Sequence, residues 1–247
     1  MDERLRVEWL NLGVVDYEDA GELQVRLSRD LSNQSNLSGY LLFLEHPPTI
    51  TLGYSIKEND TKNCLRVSEE FLRSRGVKIF HTDRGGKATF HGPGQLVIYP
   101  ILNLNRFGIS SRFYVHKLEQ VVINWLMFKG LPAERNPDYP GVWVHGKKIA
   151  SVGVRIENRI SRHGIALNLW TDLNYFDLIV PCGIKDCQIV SYFQLTGKRV
   201  KMKETIQELL KEFEIEFGMS LNEKDDYAKR VEGGTNDDQG MADARVV

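Results

Sequence analysis

The sequence lacks any long hydrophobic run and carries almost no net charge. Its 32 Lys and Arg nearly balance 33 Asp and Glu, and the formal net charge is -1 at pH 7. A membrane-spanning helix needs ~20 mostly apolar residues, and a general nucleic-acid binder needs a large excess of basic residues. The segment 1–4 is also too charged for the start of a secretory signal. We therefore expect a cytoplasmic protein that binds neither membrane nor nucleic acid.

Cysteine is equally scarce. Cys64, Cys182 and Cys187 are an odd and sparse set, which is typical of a reducing compartment and not of a disulfide framework. The spacing of Cys182 and Cys187 matches no common zinc pattern, and no compact histidine pair accompanies it. We expect no metal site, and for any single cysteine the ordinary interpretation is a small buried hydrophobe.

With 42% hydrophobic and 26% charged residues, the composition is that of a globular protein. Apolar periodicity predicts strands at 6–12, 39–45, 49–52, 77–80, 96–102, 141–144, 147–156 and 160–169. It predicts helices at 16–31, 68–75, 110–130 and 203–217, with loops at 57–64 and 134–140. Successive strands bracketed by helices indicate an α/β (α+β) domain, residues 1–223, with a mixed or antiparallel sheet. Residues 224–247 are charged and contain glycine, which predicts a disordered tail.

The stretch from Arg84 to Gln95, Arg-Gly-Gly-Lys-Ala-Thr-Phe-His-Gly-Pro-Gly-Gln, is the strongest candidate for a binding loop. It lies between two predicted strands, and loops held by rigid strands commonly carry function. A plain structural turn is the alternative, but a turn needs neither the guanidinium of Arg84 nor the imidazole of His91. A strand-like segment follows, whereas nucleotide-binding glycine loops open a helix.

A second candidate is Cys182, because Pro181 and Gly183 on either side favour a sharp loop that presents the sulfur. Cysteine acts as a nucleophile only as a thiolate, so a nearby cation or base is required. Lys148, His91 and His163 are the candidates. Lys148 is the most unusual, since the strand around it is otherwise small and apolar. It either faces inward, where it would titrate together with Cys182, or lies in solvent at the end of a hairpin.

These blocks together resemble the lipoyl(octanoyl) transferases. The 84–95 stretch is similar to that family's Arg-Gly-Gly-x-x-Thr-Tyr-His-Gly-Pro-Gly-Gln signature, with Phe90 in place of the usual tyrosine. The segments 148–153, 163–168 and 181–184 resemble its remaining site segments. The resemblance implies a single domain with a mixed central sheet flanked by helices, related to lipoate and biotin protein ligases. It also implies that Cys182 forms an acyl thioester and that Lys148 lowers the pKa of its thiol. The residues implied to line the acyl-substrate site are Arg84, Gly85, Gly86, Lys87, Ala88, Thr89, Phe90, His91, Ser151, Val152, Gly153, Gly164, Ile165 and Ala166.

The activity implied by the resemblance is transfer of an octanoyl group to a lysine ε-amine, with no ATP and no metal. The donor is octanoyl-acyl carrier protein, which carries the acyl group on phosphopantetheine. The acceptors are lipoyl domains of 2-oxoacid dehydrogenase complexes and the glycine cleavage H protein. Three alternatives stay open from the residues: an ATP-dependent lipoate or biotin ligase, a thioesterase, and a non-catalytic binder of lipoyl domains or acyl carriers.

Two further roles are left open by the sequence. His91 and His163 either orient the acyl group or shuttle protons. A group of basic residues is a candidate approach surface for an acidic acyl carrier protein: Arg84, Lys87, Arg155, Arg159 and Arg162.

Overall fold

The structure, a computed structural model, describes residues 5–33, 36–180 and 188–224 and is built around a large mixed sheet. The strands in these ranges are β1 (Leu5–Val14), β2 (Gly39–Glu45), β3 (Thr49–Leu52), β4 (Lys78–His81), β5 (Ala88–His91), β6 (Gln95–Leu102), β7 (Ala133–Arg135), β8 (Gly141–Val144), β9 (Lys147–Glu157), β10 (Ile160–Asn168) and β11 (Met219–Glu223). The helices are α1 (Tyr17–Asn33), α2 (Thr61–Cys64), α3 (Glu69–Ser74), α4 (Ser111–Phe128), α5 (Tyr192–Thr196) and α6 (Met202–Phe217), with 3-10 turns at Glu58–Asp60 and Leu173–Leu178.

Eight of the described strands form the large sheet in the order β11-β1-β2-β6-β10-β9-β8-β7. β1 runs parallel to both of its neighbours, and the other pairs are antiparallel. Helix α1 covers one face through an apolar cluster that includes Leu23 and Leu27. Helices α4 and α6 cover the other face through a larger cluster that includes Trp125 and Phe213. The sheet is therefore buried on both faces.

A smaller sheet, in the order β4-β3-β5, packs beside the first and has its own apolar cluster around Ile50 and Phe90. Strand β3 pairs parallel with β4 and antiparallel with β5. This sheet holds one end of the glycine-rich stretch, and β6 of the large sheet holds the other. The stretch is thus fixed at both ends by sheet hydrogen bonds.

Local sequence explains where the helices begin and end. The hydroxyl of Ser110 accepts a hydrogen bond from the N–H of Phe113 and caps α4, and Ser68 caps α3 through Phe71. Helix α6 ends at Gly218, whose φ of 64° is left-handed. The buried stripe of α1 is the predicted one, Tyr17, Ala20, Leu23, Leu27 and Leu31.

The predicted α/β class with a mixed sheet is confirmed, and the differences are local. Residues 88–91 form β5 where the glycine-rich stretch was expected to be loop throughout. Residues 133–135 form edge strand β7, and α2 lies in the expected loop 57–64. These pieces are three or four residues long, too short for periodicity to identify them.

The division into a domain at 1–223 and a tail at 224–247 stays a prediction. Lys224, the last described residue, still donates its N–H to the carbonyl oxygen of Trp9 at 3.0 Å. The rest of the predicted tail, 225–247, lies outside the described residues.

Candidate active site

A cleft of about 500 Å³, including its open mouth, lies over β9, β10 and β6 and beneath the loop that precedes β5. Three of the four sequence segments of the site meet there, through residues 84–91, 148–153 and 163–166. The predicted residues that line it are Arg84, Gly86, Lys87, Ala88, Thr89, His91, Lys148, Ser151, Val152, Gly153, His163, Gly164, Ile165 and Ala166. Tyr17, Val97 and Tyr99 complete the wall and were not predicted. Their sequence context is that of ordinary core residues, so no sequence signal distinguished them.

Arg84 holds the glycine-rich loop in place. Its Nη2 donates to the carbonyl oxygens of Thr51 (2.6 Å) and Lys87 (2.7 Å), and Nη1 donates to that of Gly85 (3.0 Å). Nη2 and Nε also donate to the hydroxyl oxygen of Thr51 at 2.7 and 3.0 Å. The guanidinium is buried and ties the loop to β3, so Arg84 shapes the wall of the cleft.

The hydrogen bonds around His91 fix its tautomer. Gln95 donates its amide NH₂ to the carbonyl of Phe90 and to the side-chain oxygen of Asn168, so Gln95 Oε1 must accept from His91 Nδ1 at 2.7 Å. The hydroxyl oxygen of Thr51 accepts from Arg84 and lies 3.3 Å from His91 Nε2, to which it donates. Burial and neighbouring cations hold the pKa of His91 well below its ordinary value. His91 is thus held as a neutral ring whose two nitrogens are both engaged within the protein.

The turn after β5 depends on Gly94. Its φ of 82° is left-handed, and a Cβ there would lie 2.7 Å from the ring of Trp170. The N–H of Gly94 donates to Glu45 Oε2 at 2.7 Å. Its carbonyl oxygen accepts from Leu169, Trp170 and the hydroxyl of Thr171. This turn joins the glycine-rich stretch to the end of β10.

Lys148 is buried, with 3% of its surface exposed, and lines the cleft. This rules out the alternative of a solvent-exposed lysine at the end of the hairpin. Its Nζ lies 5.6 Å from the centre of the Trp143 ring. Its N–H donates to the carbonyl of Gln188 at 2.8 Å, and its carbonyl accepts from the N–H of Val190 at 3.0 Å. The chain that follows the predicted nucleophile is therefore paired with the strand that carries Lys148.

Cys182 and Cys187 lie outside the described residues, and the role of Cys182 stays a prediction. The flanking chain is fixed on both sides. The N–H of Val180 donates to the carbonyl of Cys64 at 2.9 Å, and Gln188 accepts from Lys148. Cys64 has a free thiol whose pKa is raised by burial.

His163 lines the cleft at the end away from Lys148 and is held in an uncommon geometry. Its φ of 57° is left-handed, its N–H donates to Gln24 Oε1 at 2.6 Å, and its Nε2 lies 2.7 Å from Asp83 Oδ1. Burial lowers the pKa of the His163 ring. The hydrogen bond from His163, followed by the charge of Arg162, lowers the pKa of Asp83. The ring is thus neutral and donates through Nε2–H, which leaves Nδ1 as an acceptor.

Of the residues expected to line the substrate site, Gly85 lines an adjoining pocket that shares Lys148 and Gly153, and Phe90 does not line this cleft. Alternate residues of a strand face opposite sides, and Phe90 points into the core of the small sheet. There it stacks on Tyr175 with ring centres 4.5 Å apart. The N–H of Gly85 donates to the carbonyl oxygen of Val154 at 3.0 Å and ties this loop to β9. Because Phe90 lies in this apolar core, a tyrosine hydroxyl is not needed at the cleft.

The group of basic residues proposed as an approach surface is mostly engaged within the protein. Arg84 is buried, which removes it from any surface. Arg162 pairs with Asp83 at 2.6 Å, and Arg155 lies 4.0 Å from Glu157. Arg159 donates to Asn105 and to the carbonyl of Ile109. Lys87 remains as an exposed cation at the mouth of the cleft.

Within the described ranges, no group of three His, Cys, Asp or Glu residues is placed to hold a metal ion. No helix of the same ranges is long and apolar enough to cross a membrane.

The fold and cleft define a class, the catalytic domain shared by lipoyl protein ligases A and B. The family model with that description matches residues 16–214. Among solved structures, a bipartite lipoate protein ligase from Thermoplasma acidophilum superposes with a TM-score of 0.70 at 16% identity, covering 89% of this chain and 87% of the other. Lipoate-protein ligase A bound with ATP superposes with a TM-score of 0.68 at 15% identity, covering 90% and 88%. At such low identity these two structures show the shared fold alone.

Relatives with higher sequence identity identify the family within this class. An octanoyltransferase of Syntrophobacter fumaroxidans is 44% identical over 196 residues, covering 79% of this chain and 83% of the relative. An octanoyltransferase of Rubrobacter xylanophilus is 43% identical over 202 residues, covering 81% and 89%. The chain belongs to the octanoyltransferase family within the lipoyl protein ligase A/B class.

Proposed function

We propose that the protein transfers an octanoyl group from a carrier-protein thioester to the ε-amine of a lysine on a lipoyl domain. The observation that carries this proposal is the burial of Lys148 in the cleft formed by the signature residues, beside the chain that follows Cys182. A buried lysine is costly unless it has a chemical or structural partner. A thiol that must become a thiolate is such a partner.

In the first half-reaction, Cys182 supplies the nucleophile. The side chain of Lys148, in its neutral amine form, accepts the thiol proton of Cys182. The resulting thiolate attacks the carbonyl carbon of the octanoyl thioester. A new carbon–sulfur bond forms to Cys182 as the bond to the phosphopantetheine sulfur breaks. That leaving thiolate takes up the proton held by Lys148. Atoms and protons balance, and no oxidant, metal or nucleotide is needed.

In the second half-reaction, the neutral ε-amine of the acceptor lysine attacks the Cys182 thioester. The carbon–sulfur bond breaks, an amide forms, and the amine proton returns to the Cys182 and Lys148 pair. Conversion of a thioester to an amide is downhill, so ATP is not required. The carrier thiol and the acylated lipoyl domain are the two products.

The cleft suits a medium acyl chain. Val97 and Ala166 line it with small apolar side chains, and Gly153 adds no Cβ that would extend toward Arg84 and Gly85. Burial of the six methylenes of an octanoyl chain stabilises the bound state by about 5 kcal/mol. The glycines of the floor allow the chain to lie against the backbone of the sheet.

A ligase that activates a free acid with ATP is the main alternative, because lipoate protein ligases share this fold. The two activities are separated by offering apo lipoyl domain either octanoyl-acyl carrier protein without nucleotide or octanoate with ATP. We expect the acceptor to gain one octanoyl group from the carrier alone, measured by mass spectrometry of the acceptor. Modification only in the presence of octanoate and ATP would overturn the proposal in favour of the ligase.

A further inference from the structure

The end of the cleft away from Lys148 is polar, although the rest of its floor is apolar. His163, Tyr99, Tyr17 and Arg84 surround this end. Tyr99 donates its hydroxyl to Nε2 of His46, whose Nδ1–H donates to the carbonyl of Val15. The hydroxyl of Tyr17 donates to that of Thr82. These groups are thus fixed by the protein, and the end of the cleft is rigid.

His163 is the exception in this group. Its Nε2–H is used by Asp83, and its buried Nδ1 has no hydrogen-bond partner among residues 5–33, 36–180 and 188–224. The side chain is 6% exposed. A buried acceptor without a partner costs free energy, and the left-handed backbone at this position adds strain. Such a combination is retained where the group binds something in the working enzyme.

The position of His163 along the sheet indicates what it meets. His163 lies opposite Val154 on β9, six residues from Lys148, which corresponds to ~20 Å along a strand. An extended octanoyl chain measures ~9 Å from its carbonyl carbon to its methyl group. The lysine side chain spans ~6 Å more. If both run along the strands, an octanoyl chain that begins at the end of the Lys148 side chain reaches to within ~5 Å of the position of His163.

We propose that Nδ1 of His163 is a hydrogen-bond acceptor that selects the far end of the acyl chain. When an octanoyl chain is bound, Nδ1 accepts a hydrogen bond from a small donor, such as water, that lies beyond the terminal methyl group. A ninth carbon displaces that donor and leaves Nδ1 without a hydrogen bond. A terminal hydroxyl group at the same position also displaces the donor but donates its own hydrogen bond to Nδ1. The site thus limits the length of plain acyl chains and accepts chains of the ω-hydroxyacyl class. This inference rests on the octanoyl transfer proposed above.

The test compares two donors of equal size, nonanoyl- and 8-hydroxyoctanoyl-acyl carrier protein, which differ only in a terminal methyl or hydroxyl group. Equal amounts compete for apo lipoyl domain, and the two products are counted by mass spectrometry. The native enzyme should prefer the hydroxylated chain. His163→Leu, which removes the acceptor at similar size, should shift the product ratio about tenfold or more toward nonanoyl. The control is His116→Leu, an exposed position on α4, which should leave the ratio unchanged.

The outcomes separate the two proposals. A native enzyme that transfers octanoyl but makes no distinction between the two chains, or a folded His163→Leu with the native ratio, would overturn the role of His163 alone. A native enzyme that transfers no octanoyl group would overturn the proposed function. If His163→Leu does not fold, the ratio is read on His163→Asn, since asparagine tolerates left-handed backbone. Its shorter side chain should admit nonanoyl and decanoyl at a higher relative rate, and an unchanged chain-length profile would contradict the proposal.

Discussion

The N–H of Val190 donates a 3.0 Å hydrogen bond to the carbonyl oxygen of Lys148, and this pairing ties the two halves of the site together. Lys148 lies in the middle of the chain on β9, and Val190 lies eight residues after Cys182. The described chain nearest to Cys182 on its C-terminal side is thereby held against the strand of the buried lysine. A functional pair of Lys148 and Cys182 is consistent with this arrangement and makes the lysine the first residue to test.

Replacing Lys148 with methionine should raise the pH at which Cys182 is alkylated by at least one unit, because a thiolate loses the group that stabilises it. The rate of alkylation of the Cys182 peptide is followed by mass spectrometry across pH. Lys147→Met is the matched control, since Lys147 is adjacent and exposed. Identical alkylation profiles for the two variants would exclude Lys148 from activating the thiol.

Gly164 should not tolerate even one added methyl group. A Cβ at this position would overlap the carbonyl oxygen of Ile98 and lie 2.7 Å from Pro100 Cδ. We expect Gly164→Ala to lower the free energy of unfolding by roughly 1–3 kcal/mol, measured by urea denaturation. Gly21→Ala, in the middle of α1 with no atom within 4 Å of the added Cβ, should instead raise it by roughly 0.5–1 kcal/mol. Equal effects of the two variants would contradict the close packing of β10 on β6.

Arg84 should contribute to the stability of the folded protein as well as to the shape of the substrate site. Lysine cannot reproduce the planar fork that reaches Thr51 and the carbonyl of Lys87 together. Arg84→Lys should therefore lower the free energy of unfolding by about 3 kcal/mol. Arg73→Lys is the control, because Arg73 is 69% exposed and its 3.7 Å pair with Glu69 contributes little. A variant of native stability would show that the loop holds its shape without the guanidinium.

The buried histidines should make the protein sensitive to acid. Burial lowers the pKa of His46 from 6.5 to about 4, and it also lowers the pKa values of His91 and His163. Between pH 6.5 and 4 the unfolded chain binds protons that the folded chain does not, so stability falls as the pH falls. For His46 alone the loss at pH 5 is about 2 kcal/mol.

The change is measured as the free energy of unfolding at pH 7 and pH 5. His46→Gln removes one titrating group and should reduce the difference between the two values, whereas His116→Gln on the surface of α4 should not. The same pH dependence in the native protein and in His46→Gln would contradict the assignment of His46 as a neutral buried ring.

Much of the fold was predictable because most strands and helices are long and periodic. The glycine-rich stretch could also be recognised in the sequence as a candidate site, because its glycines, arginine and histidine are not typical of a hydrophobic core. The roles of the two histidines could not, because they depend in part on Thr51 and Asp83, which are remote from them in the chain. Gln95 and Thr51 occupy both nitrogens of His91, whereas Asp83, 80 residues before His163, occupies only one of its nitrogens.

Phe90 is a residue whose position the sequence did not predict. Its place in the signature suggested a contact with substrate. In the structure, the alternation of side chains along β5 directs Phe90 into the core of the small sheet. That strand is four residues long, and no alternation can be recognised from sequence over so short a segment. The burial of Lys148, by contrast, was one of the two stated alternatives, because a lysine among small and apolar residues lies either inward or at the end of the hairpin.

The most direct test of the central claim is intact-mass spectrometry of the enzyme incubated with octanoyl-acyl carrier protein and no ATP. We predict a mass increase of one octanoyl group on Cys182, which disappears when apo lipoyl domain is added and is absent in Cys182→Ala. A strict requirement for ATP, or the same adduct in Cys182→Ala, would contradict it.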